Sequence, residues 1–115
     1  SDSFTYLDEF FFMLEEESNA VAVYPEAGTG SQLALAYVGL GLGEVGELQN
    51  KLKKLLRDGV LDKDAVSKEL GDIFWYWNRC CIELGLNPVR VIYQNVEKLK
   101  DRKQRGVIQG SGDNR

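Results

Sequence analysis

Apolar residues recur along this chain at spacings of three and four, the period of a helix with one buried face. Phe4, Leu7, Phe11 and Leu14 mark a first amphipathic helix, with Ser3 as its N-cap and an end near Glu17 or Ser18. Residues 19–31, which include Tyr24-Pro25 and Ala27-Gly28-Thr29-Gly30, read as an ordered loop. A long second helix is expected over residues 31–57, with Asp58-Gly59 as its stop. It contains Gly39, Gly41, Gly43 and Gly46, each costing about 1 kcal/mol against Ala in a helix interior. Close approach of another helix or a ligand is the natural use of residues without a Cβ. A third helix should start after Asp62 or Asp64 and run through Leu84 to a Gly85 cap, with Val66, Leu70, Ile73, Trp77, Cys80 and Leu84 as its apolar stripe. Asn87 caps a fourth helix that has Pro88 at its first position. Val89, Ile92, Val96 and Leu99 line its core face, and it fades near Arg105. No segment shows persuasive strand alternation, and no internal repeat is visible. The pattern predicts an all-α, four-helix-bundle-like fold, one domain over residues 1–115 with a polar, Gly-rich tail at 106–115.

At 115 residues the core volume of one domain is limited, so a core completed by oligomerisation is expected. A net charge of −4 argues against general nucleic-acid binding. The charge is unevenly placed. The first twenty residues carry Asp2, Asp8, Glu9, Glu15, Glu16 and Glu17 without a Lys or Arg, whereas residues 98–105 carry Lys98, Lys100, Arg102, Lys103 and Arg105 against Asp101 alone. A basic strip on an acidic protein suggests a local anion site. Cys80 and Cys81 are helical neighbours that point apart, so they read as buried, reduced thiols of a cytoplasmic protein. The apolar run at 10–14 is too short to span a membrane and lacks a basic leader. The opening at Ser1 rather than Met suggests a processed or trimmed start. There are no histidines, which removes histidine-dependent triads, His-ligated zinc and haem.

The second helix carries the chemistry. Leu33, Tyr37, Leu40, Glu44, Glu47, Lys51 and Lys54 advance alternately by four and three, so they share one face. The stripe begins apolar, then turns to carboxylates and lysines. If its first half faces the core, the carboxylates are aimed inward and need a cation or a protonated neighbour. Glu69 and Asp72 on the third helix form a second acidic pair, beside the apolar stripe. Two helices each presenting such a pair can surround a metal in a bundle core. With oxygen donors only, Mg²⁺ is expected, with Mn²⁺ as a substitute. On the fourth helix Asn95, Lys98, Arg102 and Arg105 make a cationic stripe which, with Lys51 and Lys54, could hold phosphate oxygens.

Each feature alone has a plainer meaning. Glu47 and Lys51 at i, i+4 make an ordinary exposed ion pair. The glycines serve as packing devices in that reading, and the basic strip is a solvated face. Trp75, Tyr76 and Trp77 read as core or subunit interface rather than base-stacking groups. The coincidence of two acidic pairs and a cationic stripe on successive helices favours a metal–phosphate site.

The residues Gly43-Glu44-Val45-Gly46-Glu47-Leu48, Lys53-Lys54, Glu69-Leu70-Gly71-Asp72-Ile73, Asn95-Val96-Glu97-Lys98-Leu99, Arg102, Arg105-Gly106 and the closing Gly110-Ser111-Gly112-Asp113-Asn114-Arg115 resemble the all-α nucleoside triphosphate pyrophosphohydrolases of the MazG type. The resemblance implies Mg²⁺-dependent hydrolysis of a (deoxy)nucleoside triphosphate to the monophosphate and pyrophosphate, in nucleotide-pool house-cleaning, by a homodimer or homotetramer. It implies Glu44, Glu47, Glu69 and Asp72 as metal ligands and catalytic groups, with Asn95, Lys98 and Arg102 near the phosphates. The family motif commonly begins with two consecutive acids, and here Gly43 stands in place of the first. A metal held by the carboxylates would polarise the α-phosphate and align water for in-line attack. The rival readings are a phosphoribosyl-ATP pyrophosphohydrolase-like enzyme and a non-catalytic helical interaction module.

Overall fold

The computed structural model describes residues 2–24 and 30–106. Residues 107–115 of the expected tail at 106–115 and the Ala27-Gly28-Thr29 part of the loop lie outside the described residues. The order is α1 (Asp2–Val21), α2 (Gln32–Gly41), α3 (Glu44–Asp58), α4 (Lys63–Glu83) and α5 (Pro88–Arg105), with no strand among the described residues. The fold is all-α, as the periodicity predicts.

Local chemistry explains most boundaries. Ser31 caps α2 by accepting from the Ala34 N–H at 3.0 Å, and Asp62 caps α4 by accepting from the Ala65 N–H at 3.1 Å. Asn87 accepts from the Val89 N–H at 2.9 Å, with Pro88 opening α5. Gly59, at φ 70°, ends α3 in the left-handed conformation that a residue without Cβ adopts freely.

Two boundaries differ from expectation. Helix α1 starts at Asp2, so Ser3 lies inside it rather than at its cap, and it runs on to Val21. The expected helix over 31–57 is broken at Leu42-Gly43. There the backbone tightens into i, i+3 bonds, from Leu42 N–H to Gly39 O at 3.2 Å and from Gly43 N–H to Leu40 O at 3.0 Å. Four glycines in eight positions make an unbroken helix costly, and the break resets the face that α3 presents.

Helix α4 is the shared partner, packed against each of the other four helices. Phe11 joins α1 to it, with ring centroids 6.1 Å from Phe74 and 6.3 Å from Trp77. The buried face of α2 is Ala34 and Val38. The expected core stripe Leu33, Tyr37 and Leu40 is instead 44%, 42% and 80% exposed, because the small Ala34 lets α2 sit close on its other side. Leu70 of α4 and Leu84, its C-cap, are likewise half-exposed, and Cys81 rather than Cys80 is buried. On α5 the core face holds at Val89, while Val96 and Leu99 lie toward solvent.

The interior end of α4 is polar. Arg79 is 0% exposed and ion-paired with the buried Glu83 one turn on. Arg79 also donates to Ser18 Oγ at 2.9 Å, Asn19 Oδ1 at 2.6 Å and the Tyr24 hydroxyl at 3.2 Å. Glu83 accepts from the Tyr24 hydroxyl at 3.1 Å and from the Gly30 N–H. A buried pair whose groups find this many partners avoids the penalty that makes lone buried charges costly. It ties the end of α1 and the approach to α2 onto α4.

Candidate metal and nucleotide site

Glu44 opens α3 immediately after the break, and Glu69 and Asp72 lie on the adjoining stretch of α4. One carboxylate oxygen from each of the three lies within 4.8 Å of the others. Oxygens on opposite sides of a bound Mg²⁺ stand about 4 Å apart, so small side-chain rotations suffice to close them on an ion. Glu47, the fourth expected ligand, is exposed and falls outside this group of three.

The electrostatics of the group fit a cation. Glu44 is held above the usual carboxylate range by its hydrogen bond with Glu69, then by desolvation, then by repulsion from Glu69, Asp72 and Glu47. Glu69 Oε2 is buried and meets no hydrogen-bond donor. A buried acceptor left without a donor is costly, and a cation at this point would satisfy it. The Lys51 ammonium approaches the other oxygen, Glu69 Oε1, at 3.8 Å. Lys51 thus reaches across to α4.

Two cavities are lined in part by the helices that carry the carboxylates, and neither lining includes the carboxylates themselves. One, of about 340 Å³, is lined by Lys51, Lys54, Asp58, Val60, Asp62 and Ala65. The other, of about 220 Å³, is lined by Val21, Val23, Tyr24, Tyr37, Val38, Trp75 and Tyr76. Trp75 and Tyr76 follow Asp72 by three and four residues, so the aromatic cavity stands one helical turn, about 5 Å, beyond it on the same side of α4. A larger cavity of about 470 Å³, with Phe11, Phe12, Ile82 and Leu86 in its wall, sits at the far end of α4.

The expected phosphate groups on α5 are placed differently. That helix packs on α1 and α4. Asn95 is exposed, Lys98 half-buried and Arg102 buried.

Residues 32–107 match the model of the MazG nucleotide pyrophosphohydrolase domain, a span that contains all three clustered carboxylates. The chain belongs to the MazG nucleotide pyrophosphohydrolase family. It is also similar to the Gene 37 protein of Mycobacterium phage L5, 48% identical over 101 residues that cover 82% of this chain and 89% of that protein. No solved structure matches the chain. The MazG family is generally metal-dependent, and the all-oxygen group on α3 and α4 is an acidic cluster that could hold a metal ion.

The family frame also locates Gly43. It is the N-cap of α3, and a Cβ there would stand 3.2 Å from the Leu40 carbonyl oxygen. An acid at 43 would have to push that turn apart by a few tenths of an ångström, so the tight break and the absent acid go together.

Sequence reasoning missed the aromatic cavity and the Arg79–Glu83 pair. The pair left a signal: Arg79 and Glu83 are the only charges between residues 73 and 86, and they stand at i, i+4. The cavity left none, since Tyr24, Tyr37 and Trp75 come from three separate segments.

Proposed function

We propose that this MazG-family chain hydrolyses (deoxy)nucleoside triphosphates to the monophosphate and pyrophosphate, with Mg²⁺ held by Glu44, Glu69 and Asp72 and with Glu47 as the fourth donor. The observation that carries this reading is the convergence of three carboxylates from two helices on one point beside a partnerless Glu69 oxygen. Bound Mg²⁺ would supply Lewis-acid polarisation of the α-phosphate and charge neutralisation for departing pyrophosphate. Lys51 and Lys54 line a cavity between α3 and the start of α4 and would take phosphate oxygens as point charges. The aromatic cavity, with Trp75 and Tyr76 one turn beyond Asp72 on α4, offers the π-faces on which a base stacks. Asn95, Lys98 and Arg102 of α5 are assigned to the phosphate side on the family pattern. House-cleaning of the nucleotide pool is the corresponding role.

The working unit in this reading is a homodimer or homotetramer. A compact 115-residue domain has a radius of gyration of about 13 Å, against 17.0 Å for this one. Every residue of α2 except Gln32 is apolar or Gly, yet Leu33, Tyr37 and Leu40 face outward. A helix apolar all round needs cover on all sides.

Incubation with each ribo- and deoxynucleoside triphosphate and Mg²⁺, followed by product identification, tests the reaction. Monophosphate plus pyrophosphate is expected. Diphosphate plus orthophosphate, or no turnover of any triphosphate, contradicts it.

A further inference from the structure

Tyr24 belongs to two structures at once. Its side chain walls the aromatic cavity with Tyr37, Trp75 and Tyr76, one turn along α4 from Asp72. Its hydroxyl accepts from Arg79 Nε at 3.2 Å and donates to Glu83 Oε2 at 3.1 Å. Those two groups are a fully buried ion pair on α4, the helix that also carries Glu69 and Asp72. Glu83 further accepts from the Gly30 N–H, next to the Ser31 cap of α2, the helix that brings Tyr37 to the cavity. Two walls of the cavity that do not come from α4 are therefore referred to α4 through one ion pair.

We propose that Arg79 and Glu83 are positioning residues for the nucleotide base. They fix the Tyr24 ring, and the Gly30 approach to α2, at a set distance from Trp75 and from the carboxylates. This rests on the reading above that a nucleotide occupies the site, and it adds the residues that set base affinity without touching the base. The physical reason lies in the partition of the work. A tyrosine tethered only by the chain on either side of it would lose rotamer freedom on stacking against a base, and a preformed wall has already lost it. A doubly hydrogen-bonded hydroxyl supplies that fixation from the side facing away from the ligand. The buried charges do not reach the cavity themselves, since Tyr24 alone of the three lines it.

The test is nucleotide binding, read from tryptophan fluorescence because Trp75 lines the cavity. The probe is a non-hydrolysable α,β-imido deoxynucleoside triphosphate with Mg²⁺, in each of the four bases. Tyr24→Phe keeps the ring and removes the tether. Its Kd should rise by about three- to tenfold, the loss of a hydrogen bond's worth of preorganisation, while Mn²⁺ affinity without nucleotide stays that of the parent. Arg79→Lys keeps the charge opposite Glu83 and loses the bond to Tyr24, so it should produce the same rise. In the double variant the two effects should not add. An unchanged Kd in Tyr24→Phe overturns the proposal, as does full additivity, or an equal loss of Mn²⁺ affinity. If the parent binds the analogue but turns over no triphosphate, only the hydrolytic reading falls. If it binds none of the four analogues, both fall.

Discussion

The ring of Tyr76 lies so close over Gly41 that a Cβ on that glycine would stand 2.2 Å from Cε1. The contact seats the last residue of α2 on α4 one turn beyond Asp72, and the chain then breaks and starts α3 with Glu44. The spacing between α4 and the first of the clustered carboxylates is thus set by a residue without a side chain. Gly41→Ala should cost about 1–3 kcal/mol through overpacking. Gly39→Ala, with open space where its Cβ would go, should stabilise the helix by about 0.4–1 kcal/mol. Urea denaturation of the two variants checks the contrast. A loss in Gly39→Ala that appears only at oligomer-forming concentrations would place that glycine against a second subunit.

Neutralising one carboxylate should separate chemistry from folding. Glu69→Gln removes a proposed ligand and also relieves repulsion on Glu44. Turnover should fall by more than the roughly 10–100-fold that losing an outer-shell partner costs. The thermal midpoint in EDTA should change by no more than about 1 kcal/mol allows. Retained activity would remove Glu69 from the metal site.

Metal should stabilise the protein through the same group. At a hundredfold excess over Kd, Mg²⁺ or Mn²⁺ should add about 2.7 kcal/mol to the unfolding free energy. Chelation should reverse the gain, and Glu69→Gln should abolish it. Differential scanning calorimetry with and without EDTA reads all three outcomes.

Acid should destabilise the fold through the buried pair. Burial by itself would push Glu83 up, but the Gly30 N–H, Arg79 and Tyr24 bonds and the charge of Arg79 outweigh it and hold the carboxyl below the usual range. An acid with a depressed folded pKa contributes stability that is present above its unfolded value, about 4.3, and is lost as pH falls through the folded one. The thermal midpoint should therefore decline on acidification below about pH 4.3. The decline should be shallower in Tyr24→Phe, which lacks one of the bonds that lower the pKa. Parallel curves would show that Tyr24 does not contribute.

The outward face of α2 should carry assembly. Leu40 is 80% exposed, so Leu40→Lys leaves the fold of one subunit intact and places a charge in any interface formed there. Light scattering should show a smaller assembly with unchanged helical circular dichroism. An assembly of parental size would put the interface elsewhere.

The sequence by itself determined the all-α class, most of the helix caps and the acidic pairs from which the clustered carboxylates come. Those features depend on local chemistry: the 3.6-residue period, Asp62 and Asn87 as caps, Pro88, Gly59, and acids spaced to share one helical side. Its weakest inference was directional. Leu33, Tyr37, Leu40 and Glu44 fit one unbroken helical face, but the break at Leu42-Gly43 separates them, and the face that packs inward on α2 is Ala34 and Val38. Periodicity ranks faces by hydrophobicity alone, and in α2 both faces are apolar, so close packing of the smaller residue decided. The meeting of Glu44 with Glu69 and Asp72, the aromatic cavity and the Arg79–Glu83 tether to Tyr24 join segments whose residues stand from 13 to 59 positions apart. Such contacts cost loop entropy and are repaid only when several helices pack together, and tertiary structure alone decides which of them form.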